Sequence, residues 1–182
     1  VPPTKRKPAV RPFRAKATSV DEPLEFLRSC VYQQRETVKT LEGLERNEVH
    51  ADELISACEF LSVEWPLHLR DISDSLATLL GKRCKPADNI ESVFAELEEA
   101  QSKVKSISAK TTRGLLAQIE RMPEKAPTKV LCRQASELIT VLRWLSAIES
   151  GIVLPLARVR LKAEDLLALT QQMRARRGLL ED

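Results

Sequence analysis

The sequence predicts an all-α fold, a bundle of five or six helices preceded by a basic, proline-rich arm. Apolar residues make up 43% of the chain but aromatics only 4%, so Leu, Ile, Val and Ala must fill the core. Charged residues contribute a further 30%, a balance typical of helical bundles and coiled coils. After residue 20, apolar positions recur at steps of three and four, the period of a helix with one buried face. At 182 residues the chain suits one domain with a sizeable core. The expected division is a flexible arm or linker over 1–20 and a helical interaction domain over 21–182, elongated if its longest helix stays whole.

The arm is VPPTKRKPAVRPFRAK, with six cations and four prolines in sixteen positions and no acid. Proline removes backbone donors and blocks helix, and like charges repel, so this stretch predicts no fold of its own. It is expected to order only on a partner. Overall the chain carries a net charge of +3. The excess is local, because Lys5, Arg6, Lys7, Arg11, Arg14 and Lys16 sit on an otherwise slightly acidic body.

Ser19 and Glu22 form a capping-box pattern ahead of Pro23, so a first helix should start there and end near Gly43. Its stripe is Leu24, Leu27, Val31, Val38 and Leu41, with Gln34 as a polar gap. A second helix is expected over 48–63, with Val49, Leu54, Ile55, Cys58 and Leu61 inward. The residues EWP should end it, since a residue before proline is pushed out of the helical region. A third should cover 66–80 and stop at Gly81. Asp88 and Glu91 then suggest a capping box for the longest helix, 89–122. Gln101, Ser108 and Thr111 interrupt its stripe, and Gly114 is a candidate kink. Thr128 can cap a fifth helix that stops at Gly151. A last helix is expected over 155–177, with Val159, Leu166, Leu167 and Met173 inward. The glycine spacing invites a solenoid reading, but no side-chain signature repeats between the intervals.

Catalytic, cofactor and metal chemistry find little material. A phosphate loop ending at Gly81-Lys82 would need glycine at 76, which is Leu, and Ser or Thr at 83, which is Arg. Only His50 and His68 could offer imidazole ligands, and no Glu-x-x-His element of the di-iron type is present. Ser102 and Lys105 have the Ser–Lys hydrolase spacing without its partner motifs. No converging polar residues are visible on the apolar stripes. The chain is therefore expected to be no enzyme, with no cofactor and no metal site. The three arginines of RARR, Arg174, Arg176 and Arg177, are expected only to complement the dipole of a helix end.

Cys30, Cys58, Cys84 and Cys132 are widely spaced and form no C-x-x-C, which points to buried free thiols in a reducing, intracellular compartment, cytoplasm or nucleus. No uninterrupted apolar run approaches the ~18 residues of a membrane span, and no membrane partner is expected. The proline-rich basic arm ahead of a helical body, together with EWPLHL and LLGKRC, resembles the C-terminal helical domain of the regulatory katanin subunit. That resemblance implies binding to a partner subunit and to microtubules. Neither stretch is specific enough to carry a residue's role across, and no family is assigned on it.

The expected function is non-catalytic protein–protein interaction as a scaffold, adaptor or subunit-docking domain, in which a helix or helical groove meets the partner. The alternative is a binder of an acidic polymer, a cytoskeletal surface or nucleic acid, through the arm. The candidate contact residues are Lys5, Arg6, Lys7, Arg11, Phe13, Arg14 and Lys16, which combine phosphate-pairing cations with one stacking ring.

Overall fold

The computed structural model describes residues 20–122 and 125–179. Among them it contains five helices and no strand. They are α1 (Pro23–Arg46), α2 (51–83), α3 (Ile90–Ile119), α4 (Lys129–Arg160) and α5 (Ala163–Arg176). A single 3-10 turn, Pro86–Asp88, joins α2 to α3. The bundle is centred on α4, which packs between α1 and α3. Helix α2 covers α1 and α3, and α5 lies on the 71–76 stretch of α2 and on α1. Fully buried leucines at 27, 41, 54, 97, 138 and 142 make one continuous core.

The all-α reading of the sequence is correct, but several of its helix boundaries are not, and α2 runs past Gly81 to Arg83. EWP does not break α2, and Gly151 does not break α4. Each sits at a π turn, a helical turn wide enough to hold one extra residue. Among the described residues three such turns occur, at Phe60–Glu64, Asp71–Leu76 and Glu149–Val153. Pro66 and Pro155 each lie just after one of them. A helical proline clashes with the carbonyl four residues back and leaves it without a donor. Here those carbonyls belong to Ser62 and Gly151, inside π turns, where bonding steps five residues instead of four. Trp65 and Leu154 accordingly donate to Phe60 and Glu149. Trp65 keeps helical angles, φ −58° and ψ −47°, although it precedes a proline.

Other termini follow local chemistry. Pro23 is the first residue of α1 as expected, but Glu22 is its N-cap residue and Ser19 lies outside the described residues. Asn47 closes α1 in the left-handed region at φ 56°. Asn89, also left-handed, precedes α3, so Asp88 and Glu91 form no capping box there. Asp88 instead accepts the Lys85 N–H at 2.7 Å and pairs with Arg160 at 2.6 Å. Thr128 caps α4 as predicted, accepting the Leu131 N–H at 3.2 Å. The 155–177 helix is split, because its first part continues α4 and α5 begins at Ala163. Val159 and Leu167, expected inward, are 74% and 61% exposed, because the chain leaves the helix at Leu161 and Lys162, and the two parts bury separate faces, Leu154 and Ala157 in one and Leu169 and Met173 in the other.

Gly114 does not kink α3. It lets α4 approach closely, because a Cβ there would lie 2.8 Å from Leu131 Cδ1 and 3.5 Å from Gln134 Oε1. Gly114→Ala should be near neutral, since the clash offsets a helix-propensity gain of about 1 kcal/mol. Gly114→Leu should cost about 1–3 kcal/mol through overpacking against the buried Leu131. Urea denaturation of both variants checks this. A Gly114→Leu protein as stable as the parent would refute the tight α3–α4 approach.

Among the described residues one helix, Lys129–Arg160, is long and apolar enough to cross a membrane by length and composition, with a mean hydropathy of 1.4 over its most apolar stretch. Its Leu131, Ala135, Leu138, Leu142 and Leu145 are all buried in the bundle, so the core accounts for this apolar face.

Candidate docking groove and the polar layers behind it

Two layers of polar side chains cross the leucine core. In the first, Gln34 of α1, His68 of α2 and Glu149 of α4 meet with no solvent exposure. Glu149 Oε2 accepts from Gln34 Nε2 at 3.0 Å and lies 2.8 Å from His68 Nε2. Burial by itself would lower the imidazole pKa, but the Glu149 carboxylate and hydrogen bonding with Cys30 and Glu149 outweigh it, holding His68 well above its ordinary 6.5. The layer thus sets the His68 ring directly against Glu149, the contact that favours a protonated imidazole. His68 also stacks on Trp65, with ring centroids 5.6 Å apart.

The second layer fastens the end of α5 to α2. Asp71 is fully buried and accepts from Arg176 Nη1 and Arg177 Nη2, each at 2.7 Å. Arg176 also reaches Ser75 Oγ at 2.6 Å, and Arg177 pairs with Glu64 at 2.5 Å. The Arg177 guanidinium lies 4.7 Å from the centre of the Phe26 ring of α1, a cation–π contact. Glu64 ends the first π turn, Asp71 opens the second and Glu149 opens the third. The turns thus lie where acidic side chains enter the core.

These layers correct the expectation that no polar residues converge on the apolar stripes. They also correct the account of RARR. Arg174, Arg176 and Arg177 make specific ion pairs, with Asp21, Asp71 and Glu64 among the partners.

On the surface, a groove of about 780 Å³ runs between the C-terminal half of α2 and the first half of α3. Its apolar lining includes Ile72 and Ala77 of α2 and Ile90, Phe94 and Leu97 of α3. Asp74, Glu91 and Glu98 stand on its rim against one cation, Lys105. Asp74 pairs with Arg70 at 3.2 Å, whereas Glu91 and Glu98 form no ion pair among the described residues. Gln101 also lines the groove, is 5% exposed, and its Nε2 has no hydrogen-bond partner. A buried donor without an acceptor costs about 1–3 kcal/mol, which a ligand carrying an oxygen would recover.

Three smaller grooves lack this combination. One of about 360 Å³ lies beside Val141 and Trp144, one of about 410 Å³ beside Gly114 and Val130, and one of about 520 Å³ beside Leu24 and Leu167. In the last, Asp21 and Glu25 are already paired with Arg174 and Arg158.

The predicted contact residues Lys5, Arg6, Lys7, Arg11, Phe13, Arg14 and Lys16 lie outside the described residues. No three His, Cys, Asp or Glu among the described residues are grouped to hold a metal ion. His50 precedes α2, where its N–H donates to Glu53 Oε2 at 2.8 Å. The four cysteines are free thiols, with Cys30 and Cys58 buried and Cys84 and Cys132 half-buried. Burial pushes the Cys58 thiol up to about 11 and raises Cys30 and Cys84 as well, which keeps these thiols protonated at neutral pH. No family model, curated protein or solved structure matches the chain.

Proposed function

We propose that this protein is a non-catalytic helical docking domain whose body selects a protein partner, with the basic arm as an accessory. The observation that carries this reading is the α2–α3 groove, with its apolar floor, its two unpaired carboxylates and its buried unpaired donor. Recognition needs shape, and a rigid groove between packed helices supplies it. A chain of spaced cations supplies attraction but little geometric choice. The raised pKa of the Cys30, Cys58 and Cys84 thiols suits packing rather than nucleophilic work. Free thiols in turn fit a reducing, intracellular compartment.

Capture experiments with three full-length proteins test this: the parent, a Glu91→Lys/Glu98→Lys variant, and a variant with all six arm cations neutralised. The partner captured by the parent should be lost from the groove variant and retained, with the same identity, by the neutral-arm variant. The reverse pattern would make the arm the recognition element and support a binder of an acidic polymer instead.

A further inference from the structure

We propose that the α2–α3 groove is the seat of this chain's own basic arm, docked in cis as an extended segment centred on Val10–Arg14. The proposal rests on the groove being a docking site. It adds the occupant, and it gives the arm an occluding role in place of the steering role that its charge alone suggests.

Four observations converge on it. The first is charge. The rim offers Asp74, Glu91 and Glu98 against Lys105, while the arm has six cations and no acid. The second is the donor at Gln101 Nε2, buried and without an acceptor. A helical partner uses its carbonyls internally, whereas an extended, proline-interrupted segment leaves them free to accept. The arm's sequence, with prolines at 2, 3, 8 and 12, suits such a segment.

The third is periodicity. An extended polyproline-type chain has three residues per turn and rises about 3.1 Å per residue, so residues three apart share an edge. Val10 and Phe13 fall on one edge and Arg11 and Arg14 on the next. The first edge suits the half-buried floor at Ala77 and Phe94, and the second suits the acidic rim. The fourth is reach. Asp21, at the root of the arm, pairs with Arg174 of α5 at 3.0 Å. Two residues on, Arg176 bonds to Asp71 and Ser75, in the same π turn whose Ile72 and Asp74 line the groove. The seven steps from Phe13 to Val20 span up to about 23 Å at about 3.3 Å each. A tethered segment also acts at an effective concentration near the millimolar range, so weak contacts suffice.

The experiment compares methyl and side-chain amide NMR spectra of the full chain with those of a full-length Arg11→Ala/Phe13→Ala/Arg14→Ala variant. The Ile72 and Ile90 methyls and the Gln101 side-chain amide should shift between the two proteins, while the Ile139 methyl in α4 should not. Raising salt to about 1 M, where screening acts over about 3 Å, should move the parent spectrum toward the variant. The Glu91→Lys/Glu98→Lys protein should give the same displaced positions at low salt. Identical spectra for the parent and the arm variant overturn the proposal, and so do shifts that disappear on dilution, which mean docking on a second copy. A synthetic peptide of residues 5–16, added to the full-length arm variant, separates the two readings. Shifts at Ile72 and Gln101 on its addition, with no difference between parent and variant, would overturn docking in cis while leaving the groove a docking site. No shift in either experiment would overturn both.

Discussion

Glu149→Leu and His68→Leu should each destabilise the protein by about 3–5 kcal/mol in urea denaturation, among the largest effects of any single change. Each leaves one charged or strongly polar group in the core without its partner, which costs more than the pair contributes when intact. Gln34 makes this worse, because its Nε2 donates to Glu149 at 3.0 Å and is fully buried. A triple variant, Gln34→Met with His68→Leu and Glu149→Met, should recover most of the loss, since it removes every member of the layer at similar volume. A triple variant as unstable as the singles would mean that packing, not an unpaired charge, sets their cost. The layer also carries a pH signature. His68 is held above 6.5 in the folded protein, while an unfolded histidine titrates near about 6.5. The folded state therefore binds more protons than the unfolded state between those two values. The contribution is full below about pH 6.5 and falls as pH rises through the folded pKa, by at most about 1.4 kcal/mol per unit. Glu149→Leu should abolish that slope. A parent protein whose stability rises from pH 6.5 to 9 would exclude a charged pair.

The helical content was legible because leucine spacing dictates it, and Pro23 and Thr128 marked two starts correctly. What misled was the treatment of proline and glycine as breaks. Pro66 and Gly151 are breaks only for an α-helix with uniform bonding, and a π turn absorbs both. Val159 and Leu167 failed for another reason, since the chain leaves the helix at Leu161 and Lys162 and one stripe cannot run across that break. The polar layers were illegible for a different cause. Gln34 is separated from His68 by 34 residues and from Glu149 by 115, so no local spacing encodes their meeting. The only trace was a polar residue standing inside an apolar stripe. Gln34 and Gln101 both show it, and both proved buried, Gln34 donating to Glu149 through its Nε2 with its Oε1 unpaired, and Gln101 lining the groove with its Nε2 unpaired. Polar interruptions in a leucine stripe were thus the most informative signal for the candidate site.

Asp71→Ala should cost about 3–5 kcal/mol and should loosen α5 before the rest of the bundle. Among the residues of α5, only Asp165, Leu169 and Met173 are buried, so its apolar hold is small for 14 residues. The remainder comes from the ends. Arg83 holds Asp165 at 2.8 Å at one end, and Asp71 holds both Arg176 and Arg177 at the other. Removing Asp71 strips two guanidiniums of their shared carboxylate, and Arg177 keeps Glu64, the Met173 carbonyl and the Phe26 ring. The cost comes from leaving partly buried charges without a partner. Arg174→Ala provides the control. It removes an exposed bond to the Leu179 carbonyl and the Asp21 pair, whose carboxylate is 60% exposed, and a surface pair of that kind is worth at most about 1 kcal/mol. Hydrogen exchange resolves the location, because local opening shows as faster exchange in one cooperative unit. Amides of residues 163–176 should exchange faster in Asp71→Ala than in the parent, by more than those of α4 do. If α4 and α5 accelerate by the same factor, α5 is not separately latched, and Asp71 stabilises the bundle only as a whole.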